Sequence, residues 1–223
     1  MLITYNHYMR LKYLPSFVKR RGRITKKQEE NIEELINFSV SCINDIESES
    51  NGFKSIVIEI GFGDGENILT IAKENPDTLY IGSEVYLSGI GSLIGKIKEN
   101  NLSNIRIYNN DARVLLDTIK TPIFDNMLII CPDPWQKARH HKRRLINHSF
   151  LELARKSLKA NGGLYISTDW KDYAEGILEA INQAEGYIVL ETQLFEDLPV
   201  TRFQARAIKE DREIFKFNLK KAN

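Results

Sequence analysis

Four carboxylates stand in this sequence where a side chain can do chemistry. They are Glu59, Glu84, Asp111 and Asp133, each at or just beyond the end of a short apolar run. Glu59 opens a glycine-rich turn, Glu59-Ile60-Gly61-Phe62-Gly63-Asp64-Gly65. Glycines there permit positive φ and let a ligand approach the backbone closely. The spacing is G-x-G-x-G, whereas a dinucleotide fingerprint requires G-x-G-x-x-G and would set Glu66 beside a pyrophosphate that its charge repels. An acid ahead of the first glycine instead suits a ligand that carries positive groups.

Glu84 follows Gly65 by 19 residues, the spacing at which an acid accepts hydrogen bonds from ribose hydroxyls. Asp111 belongs to the polar cluster Asn109-Asn110-Asp111-Ala112, which is able to hold an adenine edge. Three acids after three successive strands, beginning at a glycine-rich turn, make an adenosine site. The amino and sulfonium centres of S-adenosylmethionine are positive groups of the required kind.

Asp133 is of another type. Pro132 and Pro134 fix their own φ and hold the residues before them extended, so this carboxylate is presented stiffly. Trp135 behind it is either core filler or a wall on which a base stacks. Residues 137–144 then carry five cationic side chains and two histidines, and residues 19–27 (KRRGRITKK) carry six cationic side chains and no acid. The whole chain has 31 Lys+Arg against 30 Asp+Glu, a net charge of +1, so two unmixed basic runs point to a phosphate-rich partner. His140, His141 and His148 lack the spacing and the acidic or thiolate company of a metal site, and no metal is expected.

These groups need a frame that brings strand ends together. Short apolar runs at residues 55–60, 79–83, 105–108, 126–131 and 163–167 predict strands, and helical patterns at 66–75, 86–100, 113–119, 147–159 and 171–185 alternate with them. Asn161-Gly162-Gly163 supplies a stop for the helix before it. Residues 187–192 and 213–219 predict two further strands, with a long functional loop at 193–212 between them. Ile32, Leu35, Ile36, Val40, Ile43 and Ile46 predict one amphipathic helix over 29–46.

The expected fold is α/β, a doubly wound, mostly parallel sheet with helices on both faces and an antiparallel last strand. Residues 1–28 form a basic N-terminal extension and 29–223 a single domain. Cys42 and Cys131 lie far apart and form no disulfide framework. No run of about 18 apolar residues or signal peptide is present, so a soluble, cytoplasmic protein is expected.

Taken together, Glu59 to Gly65, Glu84, Asp111, the block Pro132-Asp133-Pro134-Trp135-Gln136-Lys137-Ala138-Arg139-His140-His141-Lys142-Arg143-Arg144, Thr168-Asp169 and Thr201-Arg202-Phe203 resemble the bacterial tRNA (guanine-N7)-methyltransferases. The resemblance runs from Gly22 through the last strand. It implies a Rossmann-like class I methyltransferase that methylates guanine N7 in tRNA, with the variable-loop guanosine at position 46 as the family target. It places Glu59, Glu84 and Asp111, with Gly61, Gly63 and Gly65, at the S-adenosylmethionine site. Asp133 serves cofactor pocket and catalysis, while Lys137, Arg139, Asp169, Thr201, Arg202, Phe203 and Gln204 contact substrate.

One position departs from the family pattern, because Gln204 stands where a glutamate is usual. A neutral amide would bind the N1–H and N2–H edge of guanine more weakly than a carboxylate. The rival readings are a methyltransferase of another RNA or of a small molecule, and a catalytically weak RNA-binding homologue. Monomer and homodimer both stay open.

Overall fold

The computed structural model describes residues 12–18, 23–195 and 198–223. Residues 1–11 and 19–22, which include the first half of the basic run at 19–27, lie outside the described residues.

Seven strands form one sheet: β1 (Ser55–Ile60), β2 (Thr78–Ser83), β3 (Ile105–Tyr108), β4 (Phe124–Ile130), β5 (Leu158–Thr168), β6 (Tyr187–Val189) and β7 (Phe215–Lys221). Their order is β3-β2-β1-β4-β5-β7-β6. The first five strands pair in parallel, and β7 inserts antiparallel between β5 and β6. The strand order reverses between β1 and β4, and ligands of such sheets bind beyond the carboxyl ends at that point.

Strand periodicity divides the core in two. Ile56, Ile58 and Ile60 of β1 and Met127 and Ile129 of β4 point to one face. There they pack under α2 (Ile43–Glu49), α5 (Ala112–Thr118), α6 (His148–Ser157) and α7 (Lys171–Gln183). Val57, Leu128 and Ile130 point to the other face, against α3 (Glu66–Glu74) and α4 (Leu87–Glu99). Glu59, two residues past Val57, shares that second face, which is why its carboxyl is driven inside.

Three expectations need correction. The stripe over 29–46 is not one helix. α1 (Lys26–Glu33) is started by a capping box between Thr25 and Gln28, a 3-10 turn follows at Leu35–Asn37, and Ser39 bridges to Ile107 of β3 before α2 begins. The sheet edge offers Val40 backbone partners that a continuous helix would forfeit, and Ile36 is left 79% exposed. The helix expected over 147–159 gives way to strand at Leu158, and Asn161, at φ 62°, lies inside β5 at a register shift rather than ending a helix. The stretch 193–212 contains α8 (Arg202–Lys209). Among the described residues no helix is long and apolar enough to cross a membrane.

Candidate active site

The glycine turn leaves β1 with Gly61, Gly63 and Gly65 all at positive φ, 76°, 57° and 75°. Gly65 is the N-cap of α3. The turn is pressed against α4, where a Cβ on Gly89 would lie 2.2 Å from the Gly63 carbonyl oxygen. A side chain at Gly89 would have to push the turn away.

Glu84, just past β2, is 6% exposed. One carboxylate oxygen accepts from the Gly63 N–H at 2.9 Å, and the other from Val85 N–H at 2.6 Å and Tyr86 N–H at 3.0 Å. Burial pushes its carboxyl up from the ordinary range, and the three amides offset part of that. Glu84 therefore sets the height of the glycine turn and keeps one acceptor site, on the oxygen that takes the Gly63 N–H, for a hydroxyl donor.

Asp111 caps α5 through the Arg113 N–H at 3.0 Å and forms a two-armed ion pair with the Arg113 guanidinium, at 3.0 and 2.6 Å. Asp133 is exposed and follows Cys131, at φ 48°, with Trp135, at φ 47°, two residues beyond it. Two non-glycine residues in the left-handed region brace one turn, an arrangement that surrounding contacts must hold. Burial pushes the Cys131 thiol up to about 12, so it acts as packing and not as a nucleophile.

Glu84, Asp111 and Asp133 line one cavity of about 160 Å³ with Gly61, Gly63 and Asn110. Glu59 does not line it. Its carboxyl is 2% exposed and faces a neighbouring recess of about 60 Å³, shared with Gly61, Gly63, Thr201 and Arg202. The glycine turn is the wall between the two spaces. Burial pushes Glu59 up to about 8, opposed in part by the Asn67 amide and the Ile68 N–H, and its Oε2 has no hydrogen-bond partner. A buried carboxyl with an unanswered oxygen is suited to a cationic ligand group.

Residues 12–18 cross above the first cavity, with Ser16 and Phe17 in its lining. Their alternate carbonyls are held from three sides: Leu14 by the Arg113 guanidinium at 2.9 Å, Ser16 by the Trp135 indole N–H at 2.9 Å, and Val18 by the Tyr86 hydroxyl. Beyond Phe17 the space continues into a cavity of about 700 Å³ between Tyr13, Asn109, Trp135 and Arg143. The sequence reads residues 1–28 as an extension that orders on the body or on a ligand, and residues 12–18 order on the body, although nothing in them names these distant donors.

The expected substrate residues fall into two groups. Lys137 and Arg139 are exposed at the 3-10 segment Ala138–Arg143, with Arg143 stacked 5.1 Å over the Trp135 ring and His140 edge-on to it at 5.7 Å. Desolvation and the four surrounding cations hold His140 below its ordinary pKa. Arg144 departs from the expected basic grip, being 8% exposed and turned inward. On the other side Asp169, just past β5, pairs with Arg212 at 2.7 Å.

Thr201, Arg202 and Gln204 open α8, where Thr201 and Gln204 form a capping box. The Gln204 side-chain oxygen accepts from Thr201 N–H at 3.0 Å and from its hydroxyl at 3.1 Å. That oxygen is therefore committed to the helix start, a task that glutamine and glutamate perform alike. Arg202 pairs with Asp64 of the glycine turn, and its N–H donates to Glu66 at 3.2 Å. The Phe203 side chain lies outside the described residues. Among the described residues no three His, Cys, Asp or Glu side chains converge as a metal site requires.

Comparison with known proteins gives this site a family. A family profile described as putative methyltransferase matches residues 53–217. A tRNA (guanine-N(7)-)-methyltransferase of Nitrosococcus oceani is 36% identical over 216 residues, 94% of this chain and 91% of the relative. One from Wolbachia pipientis wMel is 37% identical over 213 residues, covering 95% and 94%. This chain belongs to the tRNA (guanine-N(7)-)-methyltransferase family. Among solved structures, the 16S rRNA methyltransferase KamB matches with a TM-score of 0.61 at 12% identity, over 83% of this chain and 96% of that one. At that identity the match shows the fold alone, which is the class I methyltransferase architecture expected of the family.

Proposed function

We propose that the chain methylates N7 of guanosine in tRNA, using S-adenosylmethionine, with the variable-loop guanosine at position 46 as target. The observation that carries this reading is the convergence of Glu84, Asp111 and Asp133 on one cavity, with the exposed Lys137 and Arg139 following Asp133 in the chain and Asp169 on a neighbouring strand end. Family membership supports the substrate.

The donor set fits the cofactor. Gly61 and Gly63 let a ligand lie against the turn, Glu84 has one acceptor site left for a ribose hydroxyl, and the Glu59 oxygen without a partner suits the ammonium group. Bound S-adenosylmethionine supplies a methyl group activated by its sulfonium.

Guanine N7 carries its lone pair in the neutral base, so the chain has no proton to remove. Its task is alignment, for which effective molarities reach ~10⁵ to 10⁸ M in model systems. The purine becomes cationic as it is methylated, and Asp133, fixed at the cavity margin, stabilises that charge. Lys137 and Arg139 hold flanking phosphates or the guanine O6, while Asp169 and the start of α8 approach the base from the other side. We place the activity in the cytoplasm with its substrate.

The test is single-turnover transfer to unmodified tRNA with Asp133→Asn at saturating tRNA and cofactor. A fall of roughly 10²-fold or more is expected from loss of one preorganised charge. Full activity would remove Asp133 from the mechanism.

A further inference from the structure

Arg144 ends the most basic stretch of the described chain, yet its side chain is 9% exposed while Arg139 and Lys142 stand in solvent. Every arm of the guanidinium is engaged. Nε donates to the Pro134 carbonyl at 2.9 Å. Nη1 donates to the Asp172 carbonyl at 3.3 Å, and Nη2 meets both the Asp172 carboxylate and His141 Nε2, the latter at 3.1 Å. Its flat face lies 4.9 Å over the ring of Tyr173, a fully buried residue of α7 whose hydroxyl accepts the Ile146 N–H at 2.9 Å.

What these contacts join is informative. Pro134 directly follows Asp133, and Asp172 lies in the first turn of α7, three residues past Asp169. One rigid fork thus ties the backbone beside one acid to the helix turn beside the other. The turn that carries Asp133 has Cys131 and Trp135 at positive φ, so its shape depends on a hold from outside. A guanidinium reaches both sides of this gap at once, whereas an ammonium is a point donor that serves one.

We propose that Arg144 is a positioning residue that fixes Asp133 relative to Asp169, and that it makes no contact with RNA. The proposal rests on the reading of Asp133 and Asp169 as the acids that face the guanine. Arg144 reaches the Asp133 turn through the Pro134 carbonyl and the Asp169 side through Asp172, so it acts by placing the backbone of both.

The test compares Arg144→Lys and Asp172→Asn with the unaltered chain in thermal midpoint, tRNA affinity against salt, and single-turnover methyl transfer at saturation. Arg144→Lys is expected to lower the saturated rate by roughly 10- to 100-fold, as small displacements of reacting groups do, with the slope of log affinity against log salt unchanged. A reduced salt slope with the saturated rate intact would overturn the proposal and make Arg144 a phosphate contact. An unchanged rate and slope would overturn it too.

If Arg144→Lys does not fold, Asp172→Asn decides, because its side chain is 56% exposed and loosens only one leg of the bracket. A several-fold loss of rate at an unchanged thermal midpoint supports the proposal, and full rate refutes it. The underlying reading fails separately. If Asp133→Asn keeps the full rate, Asp133 is not the acid in question, whereas an inactive Asp133→Asn beside a fully active Arg144→Lys refutes the bracket only.

Discussion

Cofactor affinity should fall about tenfold when the pH drops from about 7 to about 6, and Glu59 is the cause. Its carboxyl, buried and pushed up to about 8, is protonated roughly 10 to 1 at pH 7 and roughly 100 to 1 at pH 6. A cationic ligand group binds its ionised form, so the dissociation constant rises by that ratio, about 1.4 kcal/mol per pH unit. At about pH 7 the binding event should release about 0.9 proton. The ligand's own α-amino group, with an ordinary pKa of about 7.7–8.0, stays mainly cationic throughout that window. The assay is titration calorimetry in two buffers of different ionisation heat, for the unaltered chain and Glu59→Gln. The variant should bind with little pH dependence and release no proton. A flat affinity with no proton release in the unaltered chain, or the same slope in Glu59→Gln, would refute the reasoning.

The same group makes a stability prediction. The folded pKa lies above the unfolded value of about 4.5, so without cofactor the stabilising effect of the protonated form is complete below about 4.5 and is lost as pH rises through about 8. Denaturant midpoints should decline across that window, and Glu59→Gln should abolish the decline. Gln204→Glu should leave thermal stability close to unchanged because both side chains complete the capping box, while Gln204→Ala should cost about 1 kcal/mol by removing the acceptor of the Thr201 N–H and hydroxyl. Gly89→Ala should weaken cofactor binding, since its Cβ would meet the Gly63 carbonyl at 2.2 Å and displace the turn. Lys137→Ala and Arg139→Ala should each reduce the slope of log tRNA affinity against log salt by about 0.7–0.9, measured by filter binding over a salt series.

Most of the frame was legible because strands and helices of a buried parallel sheet repeat a strong apolar pattern. β1 and β3 fall at the expected residues, and Glu84, Asp111, Asp133 and Asp169 all lie just beyond strand ends. The misreadings came from residues whose partners are distant in sequence. Ser39 and Val40 leave the helical pattern to pair with β3, and Arg144, in a run that reads as an RNA grip, is drawn inside by Pro134 and Asp172. α8 had a readable signal in Thr201-Arg202-Phe203-Gln204, the spacing of a capping box. Weighing Gln204 against a guanine edge obscured that local role. That Glu59 would face a separate recess from the other three acids follows from the alternation along β1, since Val57 and Glu59 share a face.

The most direct measurement is nucleoside analysis of unmodified tRNA incubated with the protein and methyl-labelled S-adenosylmethionine. Label is expected in 7-methylguanosine, lost when the variable-loop guanosine is replaced and strongly reduced with Asp133→Asn. Label in any other nucleoside, or none with an intact and cofactor-binding protein, would contradict it.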